Sequence, residues 1–239
     1  MDSTVSTLKQ WVAESDNIVF FGGAGVSTES GIPDFRSADG IYNQQYKYPP
    51  EEIISHSFFE RDPAEFYRFY RDKLIPPADV KPNRCHLRLA ELEREGKLRA
   101  VITQNIDGLH QAAGSQRVIE LHGSIHRCYC TKCRREYPES AINDSRGVPW
   151  CGCGGVIRPD VVLYEEGLKE EDITDAVNYI RDADVLIVGG TSLNVYPAAG
   201  LIRYFHGRHL ALVNMSSTPY DSMADLVIRE KIGQVFAQI

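Results

Sequence analysis

The sequence predicts an α/β fold: a parallel sheet covered by helices on both faces, with a smaller domain inserted into it. Two observations lead to this prediction. Short runs rich in β-branched residues alternate with helix-like stretches along the chain. These runs are also apolar throughout, and they do not alternate between apolar and polar residues. Continuous apolar runs are typical of parallel strands that are buried on both faces.

The alternation assigns strands and helices in chain order. The predicted strands are residues 18–21, 100–103, 118–121, 161–164, 185–188 and 209–213. The predicted helices between the later strands are residues 170–181 and 197–206. A strand, helix, strand order favours crossover connections within one sheet.

Two segments interrupt this alternation and predict the smaller domain. Residues 42–72 are rich in aromatic residues at helical spacing, and residues 126–156 are polar and contain cysteines. Phe66, Phe69 and Tyr70 lie three or four positions apart, which indicates the buried face of a helix. The predicted large domain is residues 1–36, 74–125 and 157–239, and the predicted small domain is residues 37–73 and 126–156.

Composition and charge limit the possible functions. The 239 residues are 43% hydrophobic and 25% charged, which is ordinary for a globular protein. The chain has no run of 18 apolar residues and no basic segment before an apolar stretch at its start, so a membrane span and secretion are not expected. A net charge of −7 argues against general nucleic-acid binding and is compatible with basic peptide partners. We therefore expect a cytoplasmic protein.

A glycine-rich turn follows the first predicted strand. Residues 23–28 read Gly-Ala-Gly-Val-Ser-Thr and are predicted to end at a helix start, where free N–H groups attract a pyrophosphate. The glycines alone are equally compatible with a plain tight turn. Residues 33–36, Pro-Asp-Phe-Arg, favour the nucleotide interpretation, because an aromatic residue and an arginine there suggest a mobile loop over a ligand.

Four of the six cysteines fall in pairs with metal-ligand spacing: Cys130, Cys133, Cys151 and Cys153. The polar segment between the pairs has too few apolar residues to form a core, so one structural zinc ion held by four thiolates is predicted. Disulfides are the alternative, and a reducing compartment disfavours them. Cys128 is predicted to be a spare thiol and Cys85 a buried helix residue.

Polar residues also follow the strand predicted at 100–103. Gln104, Asn105 and Asp107 come directly after residues 100–103, at the edge where open α/β sheets bind ligands. Helix capping is an equally good explanation for these residues alone.

Histidines offer a candidate general base. His122 follows the strand predicted at 118–121, and an imidazole titrates near neutral pH, so it is the best candidate. His86 lies in a helical pattern and is predicted to be a packed or capping residue. His110 is a weaker candidate for a ligand-adjacent residue.

Taken together, these motifs resemble the sirtuins, the NAD-dependent protein deacylases, and in particular small sirtuins of bacterial type. The resemblance spans nearly the whole chain. Its motifs are the stretch 23–36, Thr103-Gln104-Asn105-Ile106-Asp107, His122-Gly123, the four cysteines, Arg158-Pro159-Asp160-Val161-Val162, Gly190-Thr191-Ser192-Leu193, Val195, Pro197 and Asn214.

The resemblance implies a Rossmann-type large domain, a zinc-bearing small domain and an acyl-lysine cleft between them. It assigns His122 and Asn105 to catalysis and Val162, Leu163 and Tyr164 to main-chain pairing with a substrate peptide. It assigns NAD binding to Ala24, Thr28, Phe35, Arg36, Gln104, Ile106, Asp107, His122, Thr191, Ser192, Asn214 and Ile232.

The implied reaction consumes NAD as a co-substrate. The acyl oxygen of the lysine amide attacks the ribose as nicotinamide leaves, and His122 then deprotonates a ribose hydroxyl. The products are lysine, nicotinamide and 2′-O-acetyl-ADP-ribose. Acetyl-lysine proteins or peptides are the expected partners, and a monomer is expected.

Two positions decide the finer expectations. Sirtuins usually carry Gly where Glu165 stands, which puts local backbone geometry in question. Members that remove acidic acyl groups carry Tyr-x-x-Arg, whereas this chain has Tyr67 followed by Tyr70, with Arg71 one position further on. We therefore expect acetyl or longer neutral acyl groups, unless Arg71 shifts into that role.

Three other functions compete with the deacylase interpretation. A mono-ADP-ribosyltransferase would use the same NAD pocket, and His122 favours deacylation over it. An NAD-sensing or zinc-ribbon binding module needs no base. A dehydrogenase usually has an acidic ribose-binding residue, which is missing from the expected position here.

Overall fold

The computed structural model describes residues 3–37, 40–43 and 46–239. Its strands are β1 (Ile18–Gly22), β2 (Leu98–Thr103), β3 (Val118–Glu120), β4 (Gly123–Cys130), β5 (Glu136–Pro138), β6 (Ile157–Val161), β7 (Val185–Gly189), β8 (His209–Val213) and β9 (Leu226–Ile228). Its α-helices are α1 (Ser3–Glu14), α2 (Pro50–Ile53), α3 (His56–Arg61), α4 (Pro63–Phe69), α5 (Arg84–Arg94), α6 (Leu109–Ala112), α7 (Ser140–Asn143), α8 (Glu170–Asp182) and α9 (Ile232–Phe236).

In the described part of the chain, the larger sheet has six strands in the order β3-β2-β1-β7-β8-β9. Neighbouring strands in it are parallel. The chain adds β2 and β3 on one side of β1, and β7, β8 and β9 on the other. A crevice therefore opens beside β1 at the carboxyl ends of the strands, where such sheets bind ligands.

Both faces of the large sheet are covered, because its central strands have no polar face. All five residues of β1 and of β7 are buried. Phe20 packs into an apolar cluster with α1, α5 and α9, whereas Phe21 packs into a second cluster on the opposite face with α8. Successive side chains of a strand point to opposite faces, so this sheet separates two cores.

The smaller sheet is antiparallel, with the order β5-β4-β6. It shares a third apolar cluster with the aromatic helices of residues 50–74, and this cluster contains Phe66, Phe69 and Tyr70. These three side chains are at most 5% exposed, which confirms that the aromatic stripe is a buried helix face.

Several element predictions were wrong. The strand predicted at 161–164 ends at Val161 and belongs to the small antiparallel sheet, since residues 157–161 pair with β4. The helix predicted at 197–206 is a 3₁₀-helix, Ala198–Tyr204. Strands β4, β5 and β9 were missed, because β4 contains the polar residues Ser124, His126 and Arg127, β5 is mostly exposed and β9 has only three residues.

The small sheet extends past the predicted limits of its cysteine segment. Strand β4 starts at Gly123 and β6 ends at Val161, so both bounds of the 126–156 segment fall inside the sheet. The division of the chain into two domains stays a prediction. Among the helices of the described residues, none has the length and apolar character to cross a bilayer.

Candidate active site and cysteine cluster

The candidate residues of the large sheet gather at one edge, because parallel strands end on the same side. Gly23, Gln104, His122, Thr191 and Asn214 each lie within two residues of the carboxyl end of a strand. These positions therefore share one edge of the large sheet. This edge brings together groups that are up to 191 residues apart in the sequence, as the numbering shows.

The glycine-rich turn differs from its prediction. The chain forms two short 3₁₀ turns, Ala24–Val26 and Thr28–Ser30, and the predicted helix start is absent from this described stretch. The N–H groups of Gly23 and Gly25 donate to the carbonyls of Gly189 and Gly190 at 3.2 and 2.8 Å. A Cβ on Gly25 would lie 2.9 Å from the Gly190 Cα. These glycines therefore allow the turn to pack against the end of β7.

Gln104 links three strand ends. Its N–H donates to the Gly22 carbonyl at 3.0 Å, and its Nε2 donates to Thr191 Oγ1 at 3.1 Å. Its carbonyl lies 3.0 Å from His122 Nδ1. Gln104 thus holds the ends of β1, β7 and β3 in one fixed arrangement across the crevice.

The contact with Gln104 sets the tautomer of His122. A carbonyl only accepts hydrogen bonds, so Nδ1 carries the proton and Nε2 keeps its lone pair. Burial lowers the pKa of His122, and the bond to Gln104 acts in the opposite direction. The ring is therefore neutral near pH 7, with an unprotonated nitrogen that can accept a proton.

His122 stands where the chain passes from the large sheet into the small one. It lies between β3 and β4, and its carbonyl accepts the Val162 N–H at 2.9 Å. The next residue, Gly123, has φ +76°, and a Cβ there would lie 1.9 Å from the Asp160 carbonyl oxygen. Only glycine fits this junction, since both the backbone angle and the space exclude a side chain.

Asn105 and Asp107 meet at a serine to which the sequence analysis gave no role. Ser27 Oγ donates to Asp107 Oδ2 at 2.6 Å and accepts from Asn105 Nδ2 at 3.0 Å. Ser27 is 1% exposed, so the three side chains form a buried polar group beneath the glycine-rich turn. A serine four residues after Gly23, the first glycine of the turn, was the available sequence signal.

Asp107 is held from both sides. Its Oδ1 accepts the Leu109 N–H at 2.9 Å, and its carbonyl lies 3.1 Å from His126 Nε2. Burial raises the pKa of Asp107, and the hydrogen bonds from Ser27 and Leu109 oppose this shift. Asp107 also caps the start of α6, so the capping interpretation is correct for this residue as well.

The loop after the glycine-rich turn folds back toward the apolar cluster that the small sheet shares with the aromatic helices. Phe35 packs against Tyr42, with ring centroids 5.4 Å apart. Arg36 lies over the Tyr42 ring at 5.2 Å, and its guanidinium donates to the Tyr164 hydroxyl at 3.4 Å. The hydroxyls of Tyr42 and Tyr164 are 2.9 Å apart. The loop therefore contacts the segment predicted to bind peptide.

The residues predicted on the adenosine side differ in accessibility. Ser192 and Asn214 are partly exposed at the strand ends, and Thr191 is buried against Gln104. Ile232 is 4% exposed, and its Cδ1 would lie 2.3 Å from a Cβ on Gly189. The structure thus makes Ile232 a core residue and gives no support to its predicted contact with NAD.

The three N–H groups of residues 162–164 are already used within the chain. Val162 donates to His122, and Tyr164 donates to the Ile54 carbonyl at 3.1 Å. The Leu163 N–H donates to Glu166 Oε2 at 2.9 Å. The main-chain pairing of a substrate peptide with residues 162–164 stays a prediction, and it would have to use groups other than these three N–H donors.

The four cysteines predicted to bind zinc come together. Their sulfurs all lie within 4.8 Å of one another, with Cys130–Cys153 at 3.5 Å and Cys133–Cys151 at 3.7 Å. Four thiolates around one zinc at about 2.3 Å would be spaced by about 3.8 Å, so the cluster fits a tetrahedral zinc ion.

Main-chain N–H groups point at these sulfurs. Lys132 and Cys133 donate to the Cys130 sulfur at 3.4 and 3.5 Å, and these contacts lower the pKa of Cys130. A Cβ on Gly155 would lie 2.6 Å from the same sulfur, so glycine is required there. Cys128 lies outside the cluster, in the aromatic core, and Cys85 is buried in α5. Both predictions are confirmed.

Two other histidines that the sequence singled out, His86 and His110, lie away from the crevice. His86 completes a capping box with Asn83 at the start of α5, as predicted. His110 is 1% exposed and packs 4.7 Å from His86, so it is a core residue and not part of the crevice.

Comparison with known proteins identifies the family. A model of the Sir2 family matches residues 23–197. The NAD-dependent protein deacetylase of Clostridium perfringens (strain 13 / Type A) is 58% identical over 243 residues, which cover 100% of this chain and 99% of that protein.

Two solved structures are similar over nearly the whole chain. A Sir2 structure with a p53 peptide and NAD⁺ is 39% identical with a TM-score of 0.87, covering 98% of this chain and 96% of that one. Another, with a deacetylated p53 peptide and 3′-O-acetyl-ADP-ribose, is 40% identical with a TM-score of 0.90 and the same coverage. This chain belongs to the Sir2 family.

Proposed function

We propose that the protein is an NAD-dependent protein-lysine deacetylase. The observation that carries this proposal is the state of His122: a neutral ring with an unprotonated Nε2 at the junction of the two sheets. A general base is needed to take a proton from a ribose hydroxyl, and an imidazole held in one tautomer supplies it. The names of the relatives and the ligands of the similar Sir2 structures support the same reaction.

The crevice beside β1 is the proposed binding place for NAD, which supplies the ribose that accepts the acyl group and is consumed. Ala24, Thr28 and Gln104 line the diphosphate and ribose region, with Thr191, Ser192 and Asn214 on the adenosine side. Ile106 and Asp107 form the proposed nicotinamide pocket, which Phe35 and Arg36 cover, and Asn105 beside it is the second proposed catalytic residue. The buried bonds of Ser27 to Asn105 and Asp107 keep these two side chains oriented.

The four clustered cysteines are the proposed ligands of one structural zinc ion. With four thiolates, the ion has no open coordination position, so it takes no part in the reaction. Its proposed contribution is to fold the polar segment between the cysteine pairs.

Neutral acyl groups are the proposed substrates. Tyr70 is 1% exposed in the aromatic core, and the Arg71 guanidinium donates to the Ile142 carbonyl, Ser145 Oγ and the Gly147 carbonyl at 2.6–3.0 Å. These contacts turn Arg71 toward residues 142–147 and support the view that Arg71 does not pair with an acyl carboxylate.

Acetylated peptides or proteins are the proposed partners, and a cytoplasmic monomer is proposed.

Mass spectrometry of the products tests the function. The protein is incubated with an acetyl-lysine peptide and NAD labelled in the adenosine ribose. We expect deacetylated peptide, nicotinamide and labelled O-acetyl-ADP-ribose. Label attached to protein or peptide, without O-acetyl-ADP-ribose, would instead identify a mono-ADP-ribosyltransferase, and the absence of nicotinamide release would contradict both activities.

A further inference from the structure

We propose that Glu165 is a positioning residue for the acylated peptide, because its carboxylate fastens the substrate segment, residues 162–166, to Ser57 in helix α3. The inference rests on the proposed function, together with the predicted binding of the substrate peptide at residues 162–164. The Glu165 side chain supplies a contact that the glycine usual at this position in sirtuins cannot make.

The backbone at Glu165 is the first observation. Its φ is +75°, a left-handed conformation that only glycine adopts without a steric cost. A glutamate kept in this conformation requires surrounding contacts that compensate for the strain.

Those contacts come from its own carboxylate. Oε2 accepts the Ser57 N–H at 2.8 Å, and Oε1 accepts the Ser57 hydroxyl at 2.9 Å. Both carboxylate oxygens thus bind one residue of another element, 108 positions away in the sequence. Hydrogen bonds to a charged acceptor are stronger than neutral ones, so this pair can offset the backbone strain.

The residues on either side of Glu165 are joined to the same element. The Tyr164 carbonyl accepts the His56 N–H at 3.0 Å, and Glu166 Oε1 lies 2.8 Å from His56 Nδ1. Three consecutive residues of the substrate segment therefore contact two consecutive residues of α3. The segment is fixed as a unit by the small domain's helical part.

The main chain of Glu165 stays open while its side chain is held. Among the described residues, neither its N–H nor its C=O has a hydrogen-bond partner, and the residue is exposed. A peptide reaching the segment therefore meets a polar main chain that is already fixed in one conformation. Such preorganisation lowers the entropy cost of binding, so it favours a low KM for the peptide.

Steady-state kinetics of Glu165→Ala and Glu165→Gln test the inference in the full-length protein. In Glu165→Ala we expect the KM for an acetylated peptide to rise about tenfold, as for the loss of hydrogen bonds to a charged group. The kcat and the KM for NAD should change by less than a factor of about two, because the crevice beside β1 is untouched. Glu165→Gln should keep a near wild-type KM, since its amide can accept from the Ser57 N–H and donate to the Ser57 hydroxyl.

Hydrogen exchange supplies a readout that does not depend on turnover. We expect faster amide exchange over residues 162–166 in Glu165→Ala and in Ser57→Ala, and unchanged exchange in Glu171→Ala, an exposed glutamate on α8. Ser57→Ala keeps the inference testable if Glu165→Ala does not fold, and its peptide KM should also rise.

Three results would overturn the inference. An unchanged peptide KM in Glu165→Ala, beside an active wild type, would remove the positioning role and leave the proposed function intact. An equal rise of the peptide KM in Glu165→Gln would show that the negative charge of Glu165, and not its two hydrogen bonds to Ser57, determines peptide binding. Unchanged exchange in Ser57→Ala would show that the fastening is absent. A wild type without turnover would instead contradict the proposed function.

Discussion

The two sheets of this protein are stabilised in different ways. In the large sheet, every residue of β1 is buried, and two apolar clusters cover its faces. In the small sheet, β5 is mostly exposed, and the chain between the cysteine pairs has little apolar surface to bury. Apolar burial therefore suffices for one sheet, whereas the other depends on its aromatic helices and on four converging thiols. The candidate base His122 stands at the boundary between them.

Removing the metal should have the largest effect, because it should unfold the small sheet and leave the large sheet folded. Structural zinc in small domains contributes about 10 kcal/mol or more of apparent binding free energy, so Cys133→Ala should lose the ion and unfold the region around β4, β5 and β6. Hydrogen exchange should rise over residues 123–161 and stay slow over β1 and β7. Zinc content by mass spectrometry should fall from one ion per chain to none.

Cys128→Ala is the matched control, because Cys128 lies outside the cluster. It should keep the ion. Retention of slow exchange in the small sheet of Cys133→Ala would show that the metal is dispensable for its fold.

Substituting His122, which lies between the two sheets, should abolish most of the deacetylation activity and leave both sheets folded. For His122→Ala we expect deacetylation to fall by about 10²–10⁴-fold, the usual effect of losing a general base. NAD binding measured by calorimetry should change little. His206→Ala, at an exposed histidine, should match the wild type. Near-normal turnover in His122→Ala would exclude His122 as the base.

The folding stability of the large-sheet region should depend on pH because of two buried histidines, His86 and His110. Burial lowers the pKa of His86 to about 4, and burial together with the nearby His86 lowers the pKa of His110 well below its usual value. The unfolded state then binds more protons than the folded state below pH 6.5. Stability should therefore be full above pH 6.5 and decrease on acidification, by about 1.4 kcal/mol per pH unit for each histidine.

Denaturant unfolding of the wild type and His110→Leu between pH 7.5 and 5 measures this effect. The variant should show a shallower decrease, because one buried histidine no longer takes up a proton. Parallel curves for the two proteins would mean that His110 does not contribute to the pH dependence.

The smallest expected effect is the difference in kcat/KM between acetyl-lysine and succinyl-lysine substrates. With Arg71 engaged by residues 142–147, a succinyl carboxylate should lack a cationic partner. An unpaired charge should cost at least about 1.4 kcal/mol, or tenfold in kcat/KM. Acetyl- and succinyl-lysine versions of one peptide give the comparison directly. Equal or faster desuccinylation would contradict the assignment.

The sequence predicted the large sheet better than the small one for a physical reason. Its buried parallel strands leave continuous apolar runs, which are visible without knowledge of their partners. Strand β4 carries Ser124, His126 and Arg127, and β6 carries Arg158, Pro159 and Asp160, so neither shows a strand pattern. Their pairing depends on the sharp turn at Gly123, which the sequence does not reveal.

Site residues that directly follow a strand could be predicted from the sequence. Contacts between residues that are far apart in the sequence could not. His122, Gln104 and the four cysteines were found from their positions. The role of Ser27 was missed because it depends on Asn105 and Asp107, some 80 residues away. The glycines of the turn were found from the sequence. Their packing against Gly190 was not, since Gly190 directly follows β7, more than 160 residues later in the chain.

The central claim is that the boundary between the two sheets holds the reacting sugar against His122. A crystal structure of the wild-type protein with an unreactive NAD analogue and an acetyl-lysine peptide tests it most directly. We expect His122 Nε2 at hydrogen-bonding distance, about 3 Å, from a ribose hydroxyl of the nicotinamide nucleotide. A ribose bound elsewhere, or an imidazole facing away from it in a complete complex, would contradict the account.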